Sequence, residues 1–114
     1  PHTKHTDRVV DGAVLAQLNP GATLINAGRA NALDLPAVLA ALESGQLAAA
    51  VLDVMDQEPL PADSPLWEAP GLYLTSHTAA PTDSDAVVRI FLANLESYLR
   101  GEPLRGTVDF SRGY

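Results

Sequence analysis

The sequence predicts an α/β fold, namely one half of a doubly wound parallel sheet with flanking helices. Three short apolar segments at residues 23–27, 48–53 and 72–75 have the composition of strands in a parallel sheet, and the first is expected to be buried on both faces. Helical patterns follow the first and the third of these segments. Strands that alternate with helices indicate parallel pairing through crossover connections. Three strands make half of the usual doubly wound sheet.

The residue pattern before the second predicted strand indicates two helices, each with its own start and stop signals. Asp11 suits the N-cap of a short helix at residues 13–18, which a Pro-Gly pair ends. Asp34 precedes a longer apolar stripe that ends at Gly45. Glycine at this point suits the left-handed conformation that closes many helices.

The remainder of the chain predicts a long loop and one more helix. Residues 54–70 contain four prolines and show no regular pattern. A loop of this length in a compact domain is usually functional or contains structure of its own, and we expect both, with a short helical turn near residues 64–68. Asp83 or Ser84 begins the last helix, whose wide apolar face ends before Gly101, and the tail after it is expected to be irregular.

The composition is that of a single globular domain, and it excludes several kinds of partner. The 114 residues are 46% hydrophobic and 18% charged, which suffices for one hydrophobic core. Fourteen acidic against seven basic residues give a formal charge of -7, which would repel nucleic acid and anionic membranes. Cysteine is absent, so disulfides and thiolate metal sites are excluded. We therefore expect a cytoplasmic protein without a metal site and without a nucleic-acid or membrane partner.

Charged or polar residues follow each of the three predicted strands. Arg29 follows the first, Asp53 and Glu58 follow the second, and His77 follows the third. Ligands of doubly wound sheets bind outside the carboxyl ends of the strands, so these side chains are expected to share one edge. Taken singly, each also has a structural explanation: a solvated arginine, a carboxylate that caps a turn, a surface glutamate or a locally hydrogen-bonded histidine.

Together, an arginine, a carboxylate and a histidine suit the reduction of a 2-oxo acid. The planar fork of Arg29 can bind the substrate carboxylate or polarise the keto oxygen. His77 can protonate that oxygen as a hydride reaches the carbon, since an ordinary imidazole titrates near neutral pH. Glu58, if hydrogen-bonded to the imidazole, would fix its tautomer and favour its charged form.

Four segments, taken in order, carry a resemblance to a known family. They are Leu-Ile-Asn-Ala-Gly-Arg at 24–29, Leu-Asp-Val-Met-Asp-Gln-Glu-Pro-Leu-Pro at 52–61, Ser-Pro-Leu-Trp at 64–67 and Leu-Thr-Ser-His-Thr-Ala-Ala at 74–80. This set resembles the D-isomer-specific 2-hydroxyacid dehydrogenase family, and the opening Pro-His-Thr-Lys-His-Thr is similar to its Pro-x-Thr…Thr loop. The tail from Gly101 to Tyr114 is similar to that of the glyoxylate/hydroxypyruvate reductase branch.

The resemblance implies a Rossmann-like, NADP- or NAD-dependent oxidoreductase that acts on a small 2-oxo or 2-hydroxy acid and forms a homodimer in the full-length parent. It identifies Arg29, Glu58 and His77 as the catalytic residues, with the arginine binding substrate and the glutamate pairing with the histidine. It also places Asp53 at the nicotinamide end of the cofactor and the opening loop beside the cofactor. The cofactor-binding candidates are Thr6, Ala27, Gly28 and Asp53.

Two positions beside the expected site depart from the family pattern. Ala30 stands where the family usually has glycine, and Ser76 stands where proline usually precedes the histidine. Because serine does not fix the backbone as proline does, the orientation of His77 is expected to depend on neighbouring packing. Neither change removes a reacting group.

The chain contains no Gly-x-Gly-x-x-Gly motif, so the phosphate-binding turn is expected to lie upstream in a longer protein. Residues 1–82 would then form the C-terminal half of the dinucleotide-binding domain, and residues 83–114 a crossover helix and tail that return toward the substrate domain. The isolated chain is expected to be inactive. Two alternatives stay open: another reaction of the family, such as phosphoglycerate or formate oxidation, and a dehydrogenase-like domain kept as a non-catalytic interaction module.

Overall fold

The computed structural model describes residues 2–3 and 5–114 of the chain, which divides into two compact units. Among the described residues, the unit that ends at Ala79 holds three strands and two α-helices. The second unit runs from Ala80 to Tyr114 and holds one long α-helix. The predicted site residues all belong to the first unit.

Helix α1 covers Gly12–Leu15 and is shorter than the predicted segment, which ends at residue 18. Asp11 caps it as predicted, because its carboxylate accepts a backbone N–H of the first turn at 2.9 Å. The side-chain amide of Gln46 donates to the carbonyls of Leu15 and Leu18 at 3.0 and 2.8 Å. These bonds come from 31 and 28 residues away and hold the carbonyls at and just after the end of the helix.

Helix α2 covers Leu35–Glu43 and begins and ends as the sequence predicts. The Asp34 carboxylate accepts a backbone N–H of the first turn at 3.4 Å, and Pro36 lies in that turn, where its missing N–H costs nothing. Gly45 closes the helix with a φ of 76°, in the left-handed region. Val38, on the inner face of the helix, is fully buried in the core of the unit.

The sheet consists of three parallel strands in the order β1-β2-β3, with β1 at Ala22–Asn26, β2 at Leu47–Leu52 and β3 at Leu72–Leu74. The register pairs the last residue of β1 with the last of β2, and that residue with the last of β3. All three strands therefore end level with one another. The predicted parallel α/β fold is confirmed, with each strand within one residue of its predicted start.

The prediction that the first strand is buried on both faces is wrong. Burial alternates along β1, where Ile25 is 69% exposed, and Tyr73 in β3 is 61% exposed. Side chains from α1 and α2 share one hydrophobic core with β2, so both helices cover the same face of the sheet. Within this unit, the described residues leave the other face without a covering helix.

The connection between β2 and β3 contains one 3-10 turn, Pro65–Glu68, close to its predicted position. The Ser64 hydroxyl caps this turn by accepting the Leu66 N–H at 3.4 Å, and Leu66 is buried. A further 3-10 turn, Ala30–Ala32, follows β1 and is absent from the sequence-based prediction. The long loop is therefore anchored near its C-terminal end by the buried Leu66.

In the second unit, helix α3 covers Ser84–Leu99. The Asp83 carboxylate accepts two N–H groups of the first turn at 3.0 and 3.1 Å, and Gly101 follows the helix with a φ of 68°, so both predicted ends are confirmed. No residue of α3 is buried, and the tail after it contains only turns, as predicted. In the described part of the chain, no helix is both long and apolar enough to cross a membrane.

Candidate active site

Backbone hydrogen bonds continue the sheet beyond the carboxyl ends of its strands. The Asp53 N–H donates to the Asn26 carbonyl at 3.0 Å, and the Thr75 N–H donates to the Leu52 carbonyl at 3.0 Å. The His77 N–H then donates to the Asp53 carbonyl at 2.8 Å. The segments that follow the three strands therefore lie side by side, at the edge where the sequence predicted a site.

Glu58 and His77 form a hydrogen-bonded pair at this edge. The imidazole Nδ1 lies 2.7 Å from Glu58 Oε2, and the other carboxylate oxygen accepts the Met55 N–H at 2.9 Å. These two bonds, the one to His77 foremost, lower the pKa of Glu58. Because a carboxylate only accepts, Nδ1 is the donor, and Nε2 is left as the nitrogen that can act on a ligand.

Asp53 is buried, with 5% of its surface exposed, and holds the loop that carries His77. Its Oδ1 accepts the Thr75 hydroxyl and the Thr78 N–H at 2.9 Å, and its Oδ2 accepts the Ala79 N–H at 3.0 Å. The bond from the Thr75 hydroxyl, followed by those from the two backbone amides, lowers the pKa of Asp53. This contact could not be predicted from local sequence, because the donors lie 22 to 26 residues away.

Arg29 lies at the exit of β1, in a turn that Asn26 shapes. The Asn26 side chain accepts the Gly28 N–H at 3.1 Å and donates to the Arg29 carbonyl at 3.0 Å. The guanidinium Nη1 donates to the Gly28 carbonyl at 2.9 Å, and the side chain is otherwise exposed. This supporting role of Asn26 was not predicted, although a single strongly polar residue in an apolar strand was a signal for it.

One open cavity of about 300 Å³ is lined by Arg29, Glu58 and His77 together. The structure thus brings the three predicted catalytic residues to one place. The other lining residues are His2, Ala30, Asn31, Val54, Met55 and Asp56.

The residues present fit the nicotinamide end of a dinucleotide. Ala27 and Gly28 are exposed and carry little or no side chain, so a flat ring can approach the backbone there. Oδ2 of Asp53 accepts one hydrogen bond and has capacity for a second, from a carboxamide N–H. Thr6 lies in a turn of the opening loop, where its N–H donates to the Thr3 carbonyl at 3.1 Å. Direct contact of these candidates with a cofactor stays a prediction.

A parallel sheet that carries an arginine and a carboxylate–histidine pair beyond the carboxyl ends of its strands defines a dinucleotide-dependent dehydrogenase domain. The family model described as the NAD binding domain of D-isomer specific 2-hydroxyacid dehydrogenase matches residues 1–79. The chain therefore belongs to the D-isomer specific 2-hydroxyacid dehydrogenase family. This finding confirms the resemblance and the Rossmann-like fold that the sequence predicted.

Named relatives agree with this assignment. Glyoxylate/hydroxypyruvate reductase A of Salmonella newport (strain SL254) is 40% identical over 114 residues, which are 100% of this chain and 36% of that protein. A D-isomer specific 2-hydroxyacid dehydrogenase from Xanthobacter autotrophicus Py2, solved with NADPH and MES, has 38% identity and a TM-score of 0.91 over 100% of this chain and 47% of that one. The NADPH-dependent glyoxylate/hydroxypyruvate reductase of Sinorhizobium meliloti, solved with NADP and sulfate, has 35% identity and a TM-score of 0.89 over 100% of this chain and 38% of that one.

The comparisons bear on the cofactor and on the share of a whole protein that this chain represents. The prediction of NADP or NAD as the cofactor is confirmed for the family, since the matched domain binds NAD and two solved relatives contain NADPH or NADP. The chain spans little more than a third of the length of the curated relatives that it matches.

The low pKa values of Asp53 and Glu58 predict a loss of stability in acid. Both lie below the ordinary carboxyl value of about 4 because of the hydrogen bonds described above. Their contribution to stability is complete above the ordinary value and is lost as the pH falls through the lower value of the folded state. The urea midpoint of unfolding is therefore expected to fall as the pH is lowered below about 4, as followed by circular dichroism.

A double variant provides the control for this pH dependence. Asp53→Asn combined with Glu58→Gln is expected to give a shallower fall over the same range, because neither side chain then titrates. Asp63→Asn changes an exposed carboxylate of the same loop and is expected to keep the wild-type slope. An undiminished slope in the double variant would show that other groups cause the acid sensitivity.

Proposed function

We propose that this chain is the C-terminal catalytic part of an NADP- or NAD-dependent reductase that converts glyoxylate, hydroxypyruvate or a similarly small 2-oxo acid to its 2-hydroxy acid. The observation that carries this proposal is the Glu58–His77 hydrogen bond of 2.7 Å in the cavity that Arg29 also lines. Reduction of a keto acid requires a proton donor and a positive charge near the keto oxygen. His77, held by Glu58, and the Arg29 guanidinium can provide them.

Each of the three side chains has a separate task in the reaction. The Arg29 guanidinium binds the substrate carboxylate or polarises the keto oxygen through its planar fork. A nicotinamide ring held near Ala27, Gly28 and Asp53 would supply the hydride that the keto carbon accepts. His77 gives the proton from Nε2 to the keto oxygen, so one hydride and one proton together complete the hydroxyl-bearing carbon. Glu58 accepts the Nδ1–H bond at 2.7 Å and so holds the imidazole with Nε2 free to act on the substrate.

The cavity supports a small substrate. Its volume of about 300 Å³ lies at the lower end of the range for ligand pockets. Arg29 and His77 line it beside two carboxylates, Asp56 and Glu58, so a cation and a proton donor face the same space. The choice of glyoxylate or hydroxypyruvate over a phosphoglycerate is supported by two relatives at 40% and 35% identity, which are glyoxylate/hydroxypyruvate reductases.

The division of the chain into parts belongs to the same proposal. Residues 1–82 would complete the nicotinamide side of a dinucleotide-binding domain, and residues 83–114 would return to a substrate domain outside this chain. The exposed apolar side chains of α3 and the coverage of about a third of the relatives support this arrangement. The whole protein would be a homodimer. The isolated chain would be inactive, because the phosphate-binding turn would lie outside it.

An activity assay of the intact natural protein tests the proposal. NADPH or NADH oxidation is expected with glyoxylate and hydroxypyruvate, and Glu58→Gln is expected to lower kcat by at least about tenfold because the imidazole loses its charged partner. Glu43→Gln, an exposed carboxylate on α2 away from the cavity, is the matched control and is expected to leave kcat unchanged.

Further substrates separate the alternatives. Turnover only with 3-phosphoglycerate or formate would assign another reaction of the family. Cofactor binding without turnover of any of these acids would favour a non-catalytic interaction module and contradict the proposed reduction.

A further inference from the structure

His77 has an unusual backbone conformation for its residue type. Its φ is 56°, in the left-handed region that residues with a Cβ seldom occupy. The residue before it is Ser76, which has no ring to restrict the chain. Interactions outside the local sequence must therefore hold this conformation.

Asp53 supplies those interactions. The N–H groups of residues 77, 78 and 79 converge on this one residue, the first on its carbonyl at 2.8 Å and the next two on its carboxylate at 2.9 and 3.0 Å. The Thr75 hydroxyl donates to the same carboxylate. Successive N–H groups that point to one side form a concave anion site, which a left-handed residue creates. The buried carboxylate of Asp53 is the anion that fills this site.

The conformation of His77 decides where its side chain can go. Its backbone dihedrals set the direction of the Cα–Cβ bond, and from this direction Nδ1 reaches Glu58 Oε2 at 2.7 Å. A change to an ordinary negative φ would turn the bond away from Glu58, since the side chain leaves the backbone in another direction. The Glu58–His77 pair therefore depends on the loop that Asp53 holds.

We infer that Asp53 is a positioning residue, which acts by binding the backbone of the Thr75–Ala79 loop and keeping His77 in the left-handed conformation that meets Glu58. Its kinetic consequence rests on the proposed function, in which His77 is the proton donor. This role is separate from contact with the cofactor. A residue that only contacts the nicotinamide ring would change cofactor binding, whereas a positioning residue changes the imidazole and the rate of turnover.

Asp53→Asn in the intact natural protein tests this inference. Asparagine has nearly the same shape, but its NH₂ group replaces one acceptor and would face a backbone N–H. We expect kcat at saturating cofactor to fall by at least about tenfold, whether or not the KM for the cofactor also changes. In ¹⁵N-histidine-labelled protein, the Nδ1–H signal of His77, assigned by its absence from His77→Asn, is expected to broaden or vanish as the bond to Glu58 is lost.

Two further variants keep the test decisive. Thr75→Val removes only the hydroxyl bond and is expected to have a smaller effect of the same kind, which serves if Asp53→Asn does not fold. Asp63→Asn is the control and is expected to leave both readouts unchanged. An Asp53→Asn protein with an intact Nδ1–H signal and unchanged kcat, or with a changed cofactor KM alone, would overturn the inference. If the signal is lost but the wild-type protein reduces no 2-oxo acid, the positioning role stands and the proposed function fails.

Discussion

Replacing His77 with asparagine is expected to lower kcat for reduction of a 2-oxo acid by about 10²- to 10⁴-fold, the range that a general acid contributes. The asparagine amide does not titrate, so it cannot deliver a proton to the keto oxygen. Asparagine tolerates the left-handed region better than most residues, so the φ of 56° is expected to persist. The fall in kcat therefore reflects the loss of proton donation rather than a change in the loop conformation. Steady-state kinetics at saturating substrate and cofactor measure it.

Two controls distinguish a chemical loss from a loss of binding or folding. The dissociation constant for NADPH or NADH is expected to stay within about twofold, since the imidazole acts on the substrate oxygen. Adding Glu58→Gln to His77→Asn is expected to have little further effect, because Glu58 acts through the imidazole. Undiminished turnover in His77→Asn, or losses that simply add, would contradict the assignment of His77 as the acid.

The elements of the fold could be predicted where their signals are local. Asp34 and Gly45 lie at the two ends of α2, and each acts on its own turn, so the boundaries of the helix are confirmed. The end of α1 was missed, and the bonds that hold the carbonyls there come from Gln46, 28 and 31 residues away. An apolar strand also looks the same whether one or both faces are covered, and Ile25 is apolar although it is 69% exposed.

The candidate site shows the same division. The position of Arg29, Glu58 and His77 after three strands could be read from the sequence, since parallel strands that end level bring their exits together. The role of Asp53 could not be read from the sequence. It depends on hydrogen bonds from backbone N–H groups, which every residue type except proline carries. Ser76 gave a partial signal: without proline, the orientation of the histidine had to come from elsewhere, and the structure identifies Asp53 as its source.

Replacing Arg29 with lysine is expected to lower kcat/KM for the 2-oxo acid by about a hundredfold, equivalent to roughly 3 kcal/mol, the upper end for hydrogen bonds to a charged group. Lysine keeps the positive charge but lacks the planar fork that binds two oxygens at once. The Asn26 side chain holds the turn through backbone groups, so the turn itself is expected to survive. Arg89→Lys, an exposed arginine on α3, is the matched control and is expected to leave kcat/KM unchanged.

The way in which the Arg29→Lys loss divides between KM and kcat assigns the role of the guanidinium. If Arg29 binds the substrate carboxylate, the contact is equally strong before and during hydride transfer, so KM rises and kcat stays close to wild type. If Arg29 polarises the keto oxygen, its contact strengthens as negative charge develops there, so kcat falls instead. Measuring both constants with glyoxylate separates the two roles. A kcat/KM equal to that of wild type would remove Arg29 from the site, although it lines the same cavity as His77.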